Sequence, residues 1–499
     1  MTLKFSESPA LQVKEIDLTG TVPAVTSTTG ALVGDFNWGP TGQPVLVGNE
    51  TELARAFGNP TSGDANSADF LSASYFLKYS SSLYVVRATK TGQKHASDAS
   101  ENTDATFTAK NPGELGNDIE VSVCQSADWD SWEHSSLFDS APSESDELHI
   151  VVVSGGDVVE TYDYVSNSSD STSKDGANNF FADVINARSS FVITNATSLS
   201  GGEYPLSGGD DGNGAVNYQS GYDYFKNKDE VQVDFLIAPA GDATQGTFNA
   251  VIAVAEERKD CVAVGSIEKS TLSSLDSTFD SGLTRSSYAV VDANHIKVYN
   301  KYQDKYEWIP AASSTAGVMA ATDNVSAPWF SPAGSRRGQY VAVTELYVNP
   351  SKTERDILYK GGANPIISKV GQGIMLFGDK THLARPSAFD RINVRRLFLV
   401  IERAISAAGQ NVMFEFNDEF TRAEFVNIVE PFLREIQGRR GITDFRLVCD
   451  ETNNTPEVID RNEFIASCFI KPARSINYVT LNFVAVRTGV EFEEVVGTI

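Results

Sequence analysis

Imidazoles, thiols and paired carboxylates are where chemistry would start, and in this chain they are scattered. His95, His134, His149, His295 and His382 include no pair at the helical spacing that puts two rings on one metal. Cys124, Cys261, Cys449 and Cys468 lie far apart, with no CxxC pair and no zinc-ligand spacing. Asp210-Asp-Gly-Asn-Gly resembles the start of a calcium loop, but Gly221 stands where the bidentate Glu of such a loop belongs. Gly371-Gln-Gly373 is followed by Gly378, which misses the dinucleotide spacing, and the chain has no P-loop, GxSxG elbow or HExxH. No carboxylate pair is singled out for acid–base work. The reading is of a protein with no catalytic, cofactor-binding or metal-binding residues.

Arginines are the charged groups that do cluster. Arg391 and Arg395 share a face of a predicted helix, with Arg396 beside them. One reading gives them local ion pairs to Asp390 or Glu402; the other gives them a contact with a second subunit or with a central partner. Arg422, Arg434, Arg439 and Arg440 extend the same set, and Arg336-Arg337 carries the same two readings.

The elements that would position these groups alternate. In the first 90 residues, the apolar runs at 31–33, 45–47 and 83–86 read as strands, and 50–57 and 69–79 read as helices. After Gly221 the alternation resumes: buried strands at 235–238 and 261–265, a helix over 248–258 between them, strands at 288–291 and 295–299, and a small-residue helix over 311–321. The last third has the strongest periodicity. Residues 394, 397, 398, 401, 404, 405 and 408 form one apolar stripe over 392–408. Phe420, Phe425, Ile428, Val429, Phe432, Leu433 and Ile436 form a second, capped by Asn417 and kinked at Pro431. Strands follow at 445–449, 464–470 and 476–486.

Between Thr91 and Gly221 the composition turns to Ser, Asp, Asn and Gly, with strands at 119–124, 149–153 and 158–164 and a helix over 178–187. From Asp98 to Glu230 there are about 25 acidic side chains against about 5 basic ones. That stretch carries most of the net charge of −26, which repels phosphate and makes nucleic acid and anionic membranes poor partners. No apolar run approaches the ~18 residues of a membrane span, and no signal peptide opens the chain, so no membrane insertion and a reduced, cytosolic origin are expected. The fold class is therefore α/β and α+β, multi-domain, with mixed-sheet cores and an inserted β-rich acidic lobe. The boundaries read as an arm at 1–20, a middle α/β domain from 21–90 and 222–370, the acidic insertion at 91–221, a C-terminal domain at 371–486 and an arm at 487–499.

Several segments resemble one family in the same order along nearly the whole chain. Ser8-Pro-Ala-Leu-Gln-Val-Lys-Glu-Ile-Asp, Gly30-Ala-Leu-Val-Gly-Asp-Phe-Asn-Trp-Gly-Pro and Asn111-Pro-Gly-Glu-Leu-Gly-Asn are similar to contractile tail sheath proteins of T-even-type and cyanophage-like phages. So are Gly371-Gln-Gly-Ile-Met-Leu-Phe-Gly-Asp-Lys, Asp390-Arg-Ile-Asn-Val-Arg-Arg-Leu, Phe414-Glu-Phe-Asn-Asp, Asp450-Glu-Thr-Asn-Asn and Lys471-Pro-Ala-Arg-Ser-Ile. The acidic insertion is short beside the outer decoration of the largest such sheaths.

The resemblance implies a structural subunit that binds copies of itself in hexameric rings stacked helically around a tail tube. It implies contraction that drives the tube through the host envelope. Baseplate and tail terminator proteins are further implied partners, the virion the implied location and the host cytoplasm the place of assembly. The terminal arms would add strands to neighbouring subunits, with Leu11, Val13 and Ile16 at one end and Val490, Phe492 and Val495 at the other as anchors. An arm making about 5 ladder bonds gains roughly 3–7 kcal/mol. Ordering it costs roughly 1–2 kcal/mol per residue, so these side chains must fill pockets. The arginine set and the helix over 420–436 become tube-facing or inter-subunit candidates, with the acidic lobe outside. Three alternatives stand beside this: a sheath from a bacterial injection device such as a pyocin or type VI system, a cytosolic α/β enzyme with a carboxylate site, and an acidic module that sequesters a basic partner.

Overall fold

A computed structural model describes residues 27–477, apart from 61–64, 100–104, 144, 174, 274, 277, 278 and 384. The sequence-predicted arm residues Leu11, Val13, Ile16, Val490, Phe492 and Val495, and most of the strand expected at 476–486, lie outside the described residues.

The centre is a six-stranded sheet in the order Ala289–Asp292, Val262–Ser266, Phe235–Ile237, Gly30–Gly34, Leu83–Arg87, Val45–Val47. Its neighbours pair in parallel, except Val45–Val47, which runs antiparallel at the edge. Parallel strands covered on both faces read as apolar runs, and every residue of Gly30–Gly34 and Val262–Ser266 is buried. One face packs on the helices Glu50–Phe57, Ala65–Leu77 and Ala312–Val325 through Leu53, Phe57, Phe70, Phe76, Ala316 and Met319. The other packs on Tyr218–Asp223 and Gln245–Arg258 through Tyr222, Phe248, Val251 and Ile252. Ala312–Val325 is rich in small residues because it runs close to its neighbours: a Cβ on Gly317 would stand 2.3 Å from the Tyr79 ring.

Residues 91–217 leave and re-enter this sheet through a narrow ribbon, with Asn217 N donating to Thr89 O at 2.9 Å and Lys94 N to Asp210 O at 2.9 Å. The excursion has its own apolar cluster, from Phe107, Val121, Ile150, Val152, Phe181 and Ile185 among others. Four antiparallel strands, in the order Asp157–Ser166, Glu147–Ser154, Ile119–Cys124, Gly202–Pro205, form its main sheet. Asp211, in the calcium-like turn, accepts from Glu114 N at 3.1 Å and lies 3.7 Å from Arg87, so that turn holds the root of the excursion.

A third sheet joins Lys305–Pro310, His295–Asn300 and Glu345–Leu346, and the hairpin Ile366–Lys369/Gly373–Leu376 packs beside it. The C-terminal part is two helices, Ile392–Gln410 and Glu419–Gly438, against an antiparallel pair, Ile442–Val448 with Ser467–Pro472. Leu397, Ile401, Phe425, Val429, Leu433 and Ile436 form its core.

Two local expectations are corrected. Asp418, not Asn417, caps the second helix, its carboxylate accepting from Thr421 N at 2.9 Å. Asn417 instead accepts from Arg422 and donates to Glu463 O. Phe420 lies outside the buried stripe at 76% exposure, because the inner face of the helix's first turn is taken by Thr421 and Arg422, 6% and 7% exposed.

Candidate assembly site at the chain ends

The arginines predicted to cluster lie along Ile392–Gln410, and the helix distributes them between two regions. The start of this helix is buried on every side: residues 392–397 are all buried, Arg395 and Arg396 included. Arg396 and Arg403, seven positions apart, share a face, while Arg391 sits at the N-cap and points elsewhere.

The Arg396 face fastens residues 27–29. Arg396 Nη1 donates to Asp323 Oδ1 at 2.7 Å and Nη2 donates to Asp323 Oδ2, a bidentate pair with both side chains 4% exposed. Ser27 completes it: its hydroxyl donates to Asp323 Oδ2 at 2.7 Å, and its carbonyl accepts from Arg396 Nη2 at 3.2 Å. Two residues further on, Thr29 N donates to Asp234 Oδ2 at 2.9 Å, and Asp234 pairs with Arg403 at 2.7 Å. Burial pushes both Asp323 and Asp234 up, while the arginines beside them oppose that shift.

Arg391 fastens residues 475–477. Asp379 is 4% exposed and accepts from Arg391 Nη1 at 2.9 Å, Tyr359 OH at 3.2 Å, Ser331 Oγ at 3.0 Å, Ser475 Oγ at 2.6 Å and Asn477 Nδ2 at 3.2 Å. A buried carboxylate with five donors has little freedom, so the chain up to Asn477 is pinned to the body. One helix thus ties down both ends of the described chain.

The other predicted arginines divide. Arg395 is 6% exposed, sandwiched 4.2 Å from the Tyr288 ring and 4.0 Å from the Phe389 ring, and donates to Ser287 Oγ. Arg422 is 7% exposed and holds Asn417. Arg395, Arg396 and Arg422, read from the sequence as tube-facing or inter-subunit candidates, are buried and bond within the subunit. Nor does Arg391 depend on Asp390, which stands 3.8 Å away; Asp379 is its nearer partner. Arg434 and Arg439 are exposed and make one-turn pairs to Glu430 and Glu435, and Arg440 is exposed with φ of 67°. Sequence reasoning missed Arg403, Asp234, Asp323 and Asp379. Only the i, i+7 spacing of Arg396 and Arg403 hinted at a shared face.

Beside these roots, the Ile442–Val448/Ser467–Pro472 pair is joined by no third strand among the described residues. Phe469 is 62% exposed on it and Ile476 84% exposed just beyond it. Among the described residues no three His, Cys, Asp or Glu gather to hold a metal, and no helix is long and apolar enough to cross a membrane.

Family models match most of the chain. Residues 27–88 match the tail sheath protein Gp18 domain III N-terminal region, 212–382 the phage tail sheath protein central domain and 384–485 the phage tail sheath C-terminal domain. The chain is 32% identical to the tail sheath protein of Salmonella phage ViI, across 99% of this chain and 98% of that one. It is 30% identical to the tail sheath protein of Enterobacteria phage T4, across 98% and 99%. Its fold is similar to a sheath tail protein from Desulfitobacterium hafniense, at TM-score 0.57 and 15% identity over 93% of this chain and 100% of that one. The anti-feeding prophage helical sheath in its contracted state gives TM-score 0.57 at 14% identity, over 96% and 99%. The chain belongs to the phage tail sheath family: it is a structural protein of a contractile bacteriophage tail, a component of the virion and not an enzyme.

Proposed function

We propose that this chain polymerises as hexameric rings stacked helically around a tail tube, and that the lattice contracts to drive the tube through the host envelope. Residues 1–20 and 487–499 act as arms that add strands to neighbouring copies, with Leu11, Val13, Ile16, Val490, Phe492 and Val495 as anchors. Supporting this is the two-stranded Ile442–Val448/Ser467–Pro472 sheet. A sheet of two strands is marginal alone and offers unpaired edges, which incoming strands complete. The pinned roots at 27–29 and 475–477 add the mechanical requirement: a pull on either arm reaches the body through buried ion pairs rather than by peeling the chain away.

The remaining partners are the tail tube, a baseplate and a tail terminator; Arg391, Arg434, Arg439 and Arg440 are the exposed or half-exposed candidates for tube or inter-subunit contact. The 91–221 insertion, acidic and with its own core, faces outward, away from the tube. Assembly takes place in the host cytoplasm. Energy is stored in the lattice when it assembles, and contraction moves it to the lower of two packings. The test is deletion of residues 1–20 or 487–499. Each truncated chain is expected to fold with an unchanged melting midpoint but to remain as small particles at concentrations where the full chain forms cylinders. Cylinders from both truncated chains would overturn the arm mechanism.

A further inference from the structure

Two surfaces combine exposed apolar side chains with charge of opposite sign. The first is the turn between Ile392–Gln410 and Glu419–Gly438. Met413, Phe414, Phe416 and Phe420 are 59%, 100%, 84% and 76% exposed. Glu415, Asp418 and Glu419 are interleaved with them. Phe414 is held at φ of 69°, a left-handed conformation that a bulky residue rarely adopts, and among the described residues its side chain is fully exposed.

The second surface is the Ile366–Lys369/Gly373–Leu376 hairpin. Val370 at its tip is fully exposed, and Phe377 beside it is 41% exposed. Lys369 Nζ stands 4.6 Å from the Phe377 ring centroid and the Arg355 guanidinium 5.7 Å from it. The 334–340 loop runs along the hairpin, Tyr340 N donating to Ile374 O at 3.0 Å, and carries Arg336 exposed at its turn, while Arg337 donates to Ser331 O within the loop. Glu354, beside Arg355 on the neighbouring helix, accepts from Ser351 N at 2.6 Å in its own helix cap.

Copies of a chain with net charge −26 repel unless their contacts join opposite charges. A helical polymer also needs a heterologous contact, in which two unlike patches of one molecule meet across copies. Both patches are exposed within one subunit, so neither covers the other there. Aromatic residues, Met and Arg are the residue types that concentrate in the centres of interfaces. We propose that the acidic aromatic turn at 413–420 of one copy docks on the basic hairpin face, around Arg336, Lys369, Val370 and Phe377, of a second copy. This rests on the sheath reading, because it requires a homopolymer.

The experiment is charge reversal and charge exchange in the full-length chain, read as the concentration at which the tube-free protein begins to polymerise by light scattering. The Glu415→Lys/Glu419→Lys variant and the Arg336→Glu/Lys369→Glu variant are each expected to raise that concentration at least about tenfold. Both variants should keep the wild-type melting midpoint, since the four side chains are exposed. The chain carrying all four changes restores opposite charges across copies and is expected to polymerise within about threefold of wild type. Carbodiimide cross-linking of wild-type polymer is expected to join Glu415 or Glu419 to Lys369 between copies. A turn variant that polymerises like wild type overturns the proposal, as does a four-fold variant that is not rescued. A turn variant that polymerises alone but no longer coats tail tubes also overturns it, and names the tube as the occupant. A wild-type chain that never polymerises would overturn the sheath reading itself, which the charge variants alone cannot do.

Discussion

Arg396 and Asp323 form a bidentate ion pair buried within the subunit, and Ser27 hydrogen-bonds to both partners. The pair joins the Ile392–Gln410 helix to Ala312–Val325 across 73 residues of sequence and fixes the point from which the N-terminal segment leaves the body. Removing one partner leaves the other charge buried and uncompensated. Arg396→Met and Asp323→Leu are each expected to cost about 3–5 kcal/mol in urea unfolding, and the double variant less than their sum. Singles that each cost under about 1 kcal/mol would mean the pair is solvated in solution.

Asp379 does the same for the other end. Asp379→Ala strands the hydroxyls of Ser475 and Ser331 and the guanidinium of Arg391. The expected loss is about 2–4 kcal/mol. Limited proteolysis is expected to cut after Lys471 or Arg474 faster in the variant than in wild type; equal rates would show that Asp379 does not hold the root.

Asp292 gives a pH signature. It is fully buried, accepts from Thr315 Oγ1 at 2.7 Å, and its Oδ1 has no hydrogen-bond partner. Burial, with no cation beside it, raises its pKa to about 7, against 3.8 for an ordinary aspartate. The folded state therefore holds this proton more tightly than the unfolded chain. The resulting stabilisation is full below pH 4 and is lost as pH rises through about 7. The Asn side chain cannot ionise, so the stability of Asp292→Asn relative to wild type is expected to rise by roughly 3–4 kcal/mol between pH 4 and pH 8. A difference that stays flat over that range would show the carboxylate to be ionised throughout.

Gly317 tests the packing of the central layer. With the Tyr79 ring 2.3 Å from a Cβ position, Gly317→Val must push either the ring or the helix outward. The cost is expected to be about 2–4 kcal/mol by thermal unfolding, although valine lowers the backbone entropy of the unfolded chain. A neutral or stabilising result would place the Ala312–Val325 helix further from Ala65–Leu77.

Much of this architecture was legible in the residues. Ala31-Leu-Val and Val262-Ala-Val read as buried strands because parallel strands covered on both faces need no polar alternation. The stripe from Val394 to Ala408 gave the helix, but not the burial of Arg395 and Arg396. A charged side chain reads as surface until the fold brings Asp323, or the rings of Tyr288 and Phe389, to meet it. Lys305–Pro310 escaped notice because its strand alternates charged and aromatic residues at a sheet edge. The Lys352–Lys360 helix carried a readable start, Ser351 followed by Glu354, which forms a full capping box. Phe420 was misplaced because the buried face of its turn is filled by Thr421 and Arg422, polar residues that a stripe of apolar positions passes over.

The central claim is that this chain assembles with itself into a helical sheath, and electron microscopy of the purified full-length protein at high concentration tests it most directly. The prediction is long hollow cylinders with a regular helical repeat and six-fold end-on symmetry. Small discrete particles only, even with tail tube and baseplate supplied, would contradict it.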